Sequence, residues 1–231
     1  MKVAIIGLGF VGKSLLNGFK DSVVVKQIDP RLETKIEELA DFHPEITFIC
    51  VPTPMNEDKT QDTSIVKSVI DELHDLQINT LVVLKSTLLP DYVKELDNQI
   101  TRFIYNPEFL REKHADEDFI NSELIVFGGS RDEGTMLSKF YKDHTKCISK
   151  DHIFTDCVTA SFIKYTVNAF LSVKATSGSI DDCPNFLRRK VGWNIKFFNT
   201  SAEQIIRANN NISIDFWEEF KKDSLLPDCI I

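Results

Sequence analysis

Over the first two thirds of the chain, apolar residues fall in short continuous runs separated by stretches of helical periodicity. Val3 to Ile6 is one such run. Ser22 to Asp29 follows with three consecutive valines, then Glu45 to Val51, Thr80 to Lys85, Arg102 to Tyr105 and Leu124 to Gly128. Between them, Val11 to Phe19, Leu32 to Leu39, Ser64 to Leu73 and Pro90 to Asn98 have the spacing of helices. Uninterrupted apolar strands alternating with helices predict an α/β fold, doubly wound around a mainly parallel sheet covered on both faces.

The texture changes after about residue 150. Thr155 to Lys174 reads as one long amphipathic helix, capped by Asp156 or Thr155. A breaker cluster, Ser177-Gly178-Ser179, ends it. Residues 181–231, interrupted by Asn209-Asn210-Asn211, read as a small helical or irregular tail. The expected division is 1–152 for the sheet domain and 153–231 for the long helix and a short cap. The chain has no internal repeat and no low-complexity tract.

Composition narrows the class. Hydrophobic residues make up 42% and charged residues 27% of the 231, ordinary values for a folded globular protein. The net charge of −8 argues against nucleic acid as the main partner. No apolar run approaches the ~18 residues of a membrane span. The apolar start, Val3 to Ile6, lacks a cleavage site and runs into a glycine motif, so it is not read as a signal peptide. Cys50, Cys147, Cys157, Cys183 and Cys229 are an odd set with no metal-ligand spacing, which suits a reduced, cytoplasmic protein without a metal.

Gly7-Leu8-Gly9-Phe10-Val11-Gly12 follows a strand and opens a helix, the setting that gives a GxGxxG match its meaning. Gly7 permits the tight turn, Gly9 lets a pyrophosphate approach the backbone, and Gly12 lets helix and strand pack closely. The phosphates would lie on the helix N-terminus. Asp29 ends the second strand, about 20 residues on, where a carboxylate accepts both ribose hydroxyls and repels a 2′-phosphate. The expected fold is thus Rossmann-type and the expected cofactor NAD, with nearby Arg31 weakening the preference over NADP slightly.

Other segments lie where parallel strands end, the edge at which such folds bind ligands. Cys50-Val51-Pro52-Thr53-Pro54 is a loop stiffened by two prolines, with Cys50 a buried, inert residue. Lys85-Ser86-Thr87 puts a cation and two hydroxyls at a strand end, although a helix cap would look the same. Asn106-Pro107 suits an N-cap with proline at the first helical position. Glu108 and Glu112 would then face one way, and two like carboxylates held together raise one pKa, a route to a general base. A solvated acidic helix start has the same spacing. On the long helix, Lys164 and Asn168 share a face and could bind an alkoxide formed during hydride transfer, unless they are an ordinary exposed pair.

Taken together these segments resemble the UDP-glucose/GDP-mannose dehydrogenase family, most closely its UDP-glucose 6-dehydrogenase members. The matches are the glycine motif, Cys50 to Pro54, Lys85-Ser86-Thr87, and Asn106-Pro107-Glu108-Phe109-Leu110-Arg111-Glu112 with Ala115 and Asp118-Phe119. Lys164-x-x-x-Asn168-Ala169-Phe170-Leu171 completes the set, so the likeness spans about residues 1 to 174. It implies oxidation of the C6 alcohol of a UDP-sugar with two NAD. It implies Val11, Asp29, Thr53, Thr87 and Glu112 at the cofactor, with Phe10 in the turn. It implies Glu108, Phe109, Leu110, Lys164 and Asn168 at the sugar, with Thr87 and Glu108 ordering a water and Lys164 and Asn168 stabilising oxyanions. Dimerisation through the Thr155 to Lys174 helix is a further implication.

The pattern stops after Lys174. The family's Phe-Gly-Gly-x-Cys-Phe-Pro-Lys-Asp string is absent, as is its second nucleotide-binding domain. Cys183 lies in Asp181-Asp182-Cys183-Pro184, where acidic neighbours raise a thiol pKa, and Cys229 also lacks the family context. The sequence therefore reads as a truncated dehydrogenase homologue from which full four-electron oxidation is not expected. The competing readings are a non-catalytic module that binds NAD or a full-length dehydrogenase, and a β-hydroxyacid dehydrogenase relative, against which the Asn106 to Glu112 string stands. Trp193, Phe197, Phe198, Phe216, Trp217 and Phe220 supply enough aromatic surface in the tail to cover a long helix.

Overall fold

The computed structural model describes residues 1–177 apart from 59, 123 and 150, with backbone only from 169 onward. The expected tail, including Cys183, Cys229 and its six aromatic residues, lies outside the described residues. Seven strands form one sheet: β1 (Lys2–Ile6), β2 (Val24–Ile28), β3 (Ile46–Ile49), β4 (Leu81–Leu84), β5 (Phe103–Tyr105), β6 (Leu124–Gly129) and β7 (Asp151–Thr155). Their order is β2-β1-β3-β4-β5-β6-β7. All pairs are parallel except β5 with β6.

The apolar runs are continuous because helices cover both sides. Ala4, Ile6, Ile49, Leu84 and Tyr105 point to one face. There they meet α3 (Ser64–Asp75), α4 (Pro90–Gln99) and the start of α7 (Cys157–Ser177). Val3, Ile5, Phe48, Val83 and Ile104 point to the other face, under α1 (Phe10–Gly18), α5 (Ala115–Ile120) and α6 (Arg131–His144). Helix α2 is a single turn, Leu39–Phe42.

Three expectations change. Leu32 to Leu39 is not one helix. Pro30–Leu32 and Ile36–Glu38 are separate 3-10 turns, broken by left-handed Glu33 and extended Lys35. Helix α6 and strand β7 were not expected. The helix buries only a narrow stripe, with Leu137, Phe140 and Tyr141 at its centre. The expected division after residue 152 falls inside β7, and the long helix starts at Cys157, not Thr155. Asp156 caps it, accepting from Thr159 N–H at 2.8 Å and Thr159 Oγ1 at 2.6 Å.

Two topological features position the site. The chain reverses its winding between β1 and β3, opening a crevice at their C-terminal ends. The antiparallel β5–β6 step then makes β6 and β7 run away from that edge. Helix α7 consequently starts at the far edge of the sheet and climbs back to the crevice. Among the described residues, no helix is long and apolar enough to cross a membrane.

Candidate functional site

The C-terminal edge holds a cleft of about 950 Å³, lined by the turn after β1, the end of β2, the loops after β3, β4 and β5, and Lys164 of α7. The three glycines meet three different constraints. Gly7 has φ +91, and a Cβ there would lie 2.8 Å from the Cys50 carbonyl oxygen. At Gly12 a Cβ would lie 2.0 Å from the Gly7 carbonyl oxygen. Nothing lies within 4 Å of a Cβ at Gly9, which faces open cleft. No side chain caps α1 at Gly9. The helix start is thus a cradle of uncapped N–H groups with room for a pyrophosphate. Phe10, 58% exposed, and Val11 flank it.

Asp29 sits at the end of β2 with a buried carboxylate. It accepts from Leu8 N–H at 2.6 Å and from the Arg31 backbone N–H at 3.0 Å. The Arg31 guanidinium adds Nε at 2.8 Å and Nη2 at 2.8 Å. Arg31 first, and then the two backbone donors, hold the Asp29 carboxyl well below the usual carboxylate range.

The loops after β3 and β4 are stitched together. Ser86 Oγ donates to the Val51 carbonyl at 2.7 Å, and Thr53 Oγ1 to the Thr87 carbonyl at 2.8 Å. Ser86 and Thr87 are not helix caps, because α4 begins with Leu89 as its N-cap and Pro90 in its first turn. Gln61, which sequence reasoning missed, ties these loops to α7. Its Nε2 donates to the Thr87 carbonyl at 2.9 Å and the Tyr165 hydroxyl at 3.3 Å, and its Oε1 accepts from Leu89 N–H at 3.1 Å. A loop glutamine carries no local signal of such a role, since all its partners are distant in sequence.

Lys85 is buried, and its ammonium pairs with the Glu108 carboxylate. It also donates to Asn106 Oδ1 at 2.8 Å and to the Tyr141 hydroxyl at 3.0 Å. The Tyr141 hydroxyl donates on to Asn106 Oδ1 at 2.7 Å, and Asn106 Nδ2 donates to the Val126 carbonyl at 2.8 Å. Asn106 is therefore a buried bracket across β4, β5, β6 and α6, not an N-cap. No helix forms at Pro107 to Arg111; a 3-10 turn occupies Glu112–His114. Glu108 and Glu112 do not share a helical face. Glu108 lines the cleft from an irregular segment and Glu112 from the start of the 3-10 turn, Glu112 is exposed, and the partner of Glu108 is a lysine.

Lys164 reaches the cleft from α7. Its ammonium donates to the Glu108 carbonyl at 2.6 Å and lies 5.5 Å from the centre of the Phe109 ring. Burial pushes its pKa down to about 8, against the pull of the Glu108 carboxylate. Asn168 lies one turn further along α7 and is partly buried. Leu110 lines the cleft, whereas Phe109 packs against the core beside it. Arg111 and Asp118 close the following loop, with Nη2 to Oδ1 at 2.7 Å. Phe119 packs against Gly18, where a Cβ would lie 2.2 Å from its ring. Cys50 is buried and its thiol is pushed up to about 12, as expected of an inert core residue. Among the described residues no group of His, Cys, Asp and Glu could hold a metal.

The family profile described as "UDP-glucose/GDP-mannose dehydrogenase family, NAD binding domain" matches residues 20–145. The chain belongs to this family. UDP-glucose 6-dehydrogenase of Rickettsia bellii is 32% identical over 240 residues, covering 85% of this chain and 54% of that protein. The chain thus spans about half the length of the curated relatives it matches. A UDP-glucose dehydrogenase structure from Pyrobaculum islandicum aligns with TM-score 0.60 at 25% identity, covering 75% of this chain and 50% of that one. The GDP-mannose dehydrogenase ternary complex from Pseudomonas aeruginosa has the same fold, with TM-score 0.63 at 21% identity over 90% of this chain and 56% of that one. NAD is the cofactor of this UDP-glucose/GDP-mannose dehydrogenase family domain, and the Gly9 cradle has the room and the donors that its pyrophosphate needs.

Proposed function

We propose that the chain binds a UDP-sugar beside NAD and supports hydride transfer from the sugar C6 carbon, with the sheet domain through β7 as its NAD-binding unit. The observation that carries this reading is the convergence of Lys164 and Glu108 with the glycine cradle in one cleft. When bound, NAD supplies the hydride acceptor. The Lys164 ammonium polarises the C6 oxygen and holds the alkoxide left when the hydroxyl proton departs. Asn168 adds a second donor on the same helix face. Thr87 and Glu108 order a water at the strand ends, Leu110 walls the sugar with Phe109 behind it, and Thr53, Val11 and Glu112 flank the cofactor. The hydroxyl proton passes to that ordered water, and the C6 hydrogen leaves with its bonding pair as hydride to NAD, giving an aldehyde.

In the mechanism the family resemblance implies, a thiolate nucleophile carries that aldehyde on to a carboxylate. Cys50 is unsuited to that role, being buried with its thiol pushed up to about 12. The reading for the described residues therefore ends at a two-electron oxidation. A second reading, a non-catalytic NAD-binding or dehydrogenase-associating module, is favoured by the engagement of Glu108 with Lys85 instead of a free position as base. A homodimer through Thr155 to Lys174 has to use positions other than Cys157, Ala160, Ile163 and Val167, which are spent on this chain's own core. Sedimentation velocity at two concentrations tests it.

Isothermal titration with NAD, then with UDP-glucose in its presence, separates the readings. Binding of both, with NADH absorbance appearing when an aldehyde trap is present, supports dehydrogenation. NAD binding without sugar binding supports the module. Sugar oxidation carried through to UDP-glucuronate by this chain alone would overturn the two-electron limit.

A further inference from the structure

The Asp29 carboxylate has no acceptor position left. A carboxylate offers about four lone-pair sites, and four N–H groups fill them. Oδ1 takes the Arg31 backbone N–H at 3.0 Å and Arg31 Nε at 2.8 Å. Oδ2 takes Leu8 N–H at 2.6 Å and Arg31 Nη2 at 2.8 Å. The two backbone donors belong to the fold and aim the carboxylate. The two guanidinium donors stand where the two hydroxyls of a ribose would have to donate. Arg31 Nη2 also reaches the Leu8 carbonyl at 2.6 Å, so the side chain lies across the glycine turn itself.

The two partners differ in freedom. Asp29 is 5% exposed at its side chain and Arg31 is 62% exposed. The carboxylate cannot leave, whereas the exposed guanidinium can swing into solvent when the two ribose hydroxyls replace its donors to the buried carboxylate. We propose that Arg31 is a latch on the adenosine-ribose subsite: it occupies Asp29 in the free protein, must release it for the NAD diol to bind, and on release faces the ribose 2′ position, where it accepts a 2′-phosphate. Arg31 is thus a specificity-determining residue that lowers affinity for NAD and relaxes the discrimination against NADP that a lone aspartate would impose. A guanidinium suits a phosphate because its forked donors match two oxygens. The proposal rests on the cofactor assignment, not on any turnover.

The test is isothermal titration of the full chain, wild type, Arg31→Met and Arg31→Lys, with NAD and with NADP, after thermal melts show equal folding. Arg31→Met, which keeps the stem and loses the fork, should bind NAD about fivefold more tightly and NADP at least tenfold more weakly. Arg31→Lys, which keeps the charge but not the bidentate latch, should tighten NAD while retaining NADP. In the wild type, the Arg31 Nε–H resonance should shift on adding NAD as the latch opens. Unchanged or weaker NAD binding in Arg31→Met overturns the latch. Unchanged NADP binding in that variant overturns the 2′-phosphate role. If neither wild type nor variant binds NAD at millimolar concentration, the cofactor assignment itself fails, and the proposal with it.

Discussion

Lys85 and Glu108 form an ion pair under the floor of the cleft, with the lysine fully enclosed and the glutamate reaching it from the loop after β5. The pair is not isolated. Asn106 and Tyr141 satisfy the remaining protons of the ammonium, and the Glu108 carbonyl receives Lys164. One glutamate therefore links the two lysines of the site, one through its side chain and one through its backbone.

Breaking this pair should cost more than removing it. Lys85→Met leaves Glu108 without its cation and Asn106 Oδ1 without its charged donor. A loss of about 3 kcal/mol in urea-unfolding stability is expected, as for one-sided removal of a buried charge. The double variant Lys85→Met/Glu108→Gln should lose less than the sum of the two single losses. Strict additivity would show that the two residues are not coupled.

Lys164 should titrate within reach of neutral pH. Burial holds its pKa at about 8 against an ordinary 10.5. Below pH 8 the folded protein carries the cost of a buried charge. Between pH 8 and 10.5 the folded state has released a proton that the unfolded chain still holds, so stability rises with pH across that window. The rise should be on the order of 2 kcal/mol in wild type relative to Lys164→Met. A ¹³C-lysine titration should show one resonance with a midpoint near 8. If every lysine titrates above 10, the burial argument fails.

A slope of the same sign should appear in acid through His152. Its ring stands edge-on to Phe127 and takes a 2.6 Å hydrogen bond with Ser138 Oγ. Burial, helped by the Lys142 charge, lowers its pKa to about 4 from 6.5. The unfolded chain binds the proton first, so stability is lost as pH falls from 6.5 to 4. His152→Gln should flatten that part of the urea-midpoint profile by roughly 1 kcal/mol, since partial exposure discounts the full shift.

The glycines separate binding from folding. Gly9→Ala adds a methyl to open cleft, so the melting temperature should hold within about 2 °C while NAD binding weakens at least tenfold. Gly12→Ala drives a methyl into the Gly7 carbonyl and should cost about 3 kcal/mol of stability. A large stability loss in Gly9→Ala would show that the open space is not there.

Gln61→Ala removes three contacts that join the loops after β3 and β4 to α7. About 2 kcal/mol should be lost, because the Leu89 N–H and Tyr165 hydroxyl lose partners in a partly buried place. Amide exchange should quicken at Thr87 to Leu89 and not in β1. Uniform quickening would mean a global loss and no local clamp.

Much of this was legible because the relevant signals are local. Gly7, Gly9 and Gly12 with Asp29 announce a nucleotide turn through backbone constraints that act within a few residues. The apolar strands announce a covered sheet for the same reason. What failed was reading long-range residues by local rules. Asn106 before Pro107 has the sequence of a cap, but its carboxamide is spent between Lys85 and Val126. Glu108 and Glu112 have helical spacing, but the segment between them is irregular, with Glu108 tied to Lys164 of α7 and to Lys85 after β4. Helix α6 was invisible because its exposed face carries Arg131, Asp132, Lys139 and Lys142 around a narrow apolar stripe. Arg31 lay beside Asp29 in plain view, yet only the geometry shows that it fills the acceptor sites rather than standing nearby.

The reversal at β5–β6 turns α7 into a ruler. The helix leaves the far edge of the sheet at Cys157 and delivers Lys164 seven residues later, a climb of about 10 Å at 1.5 Å per residue. One residue inserted between them would slide the ammonium by about 1.5 Å and swing it by roughly 100°. Reach and azimuth cannot be corrected together by any single insertion or deletion. The span from Asp156 to Lys164 is therefore metrically fixed: side chains along it can be exchanged, but their number cannot.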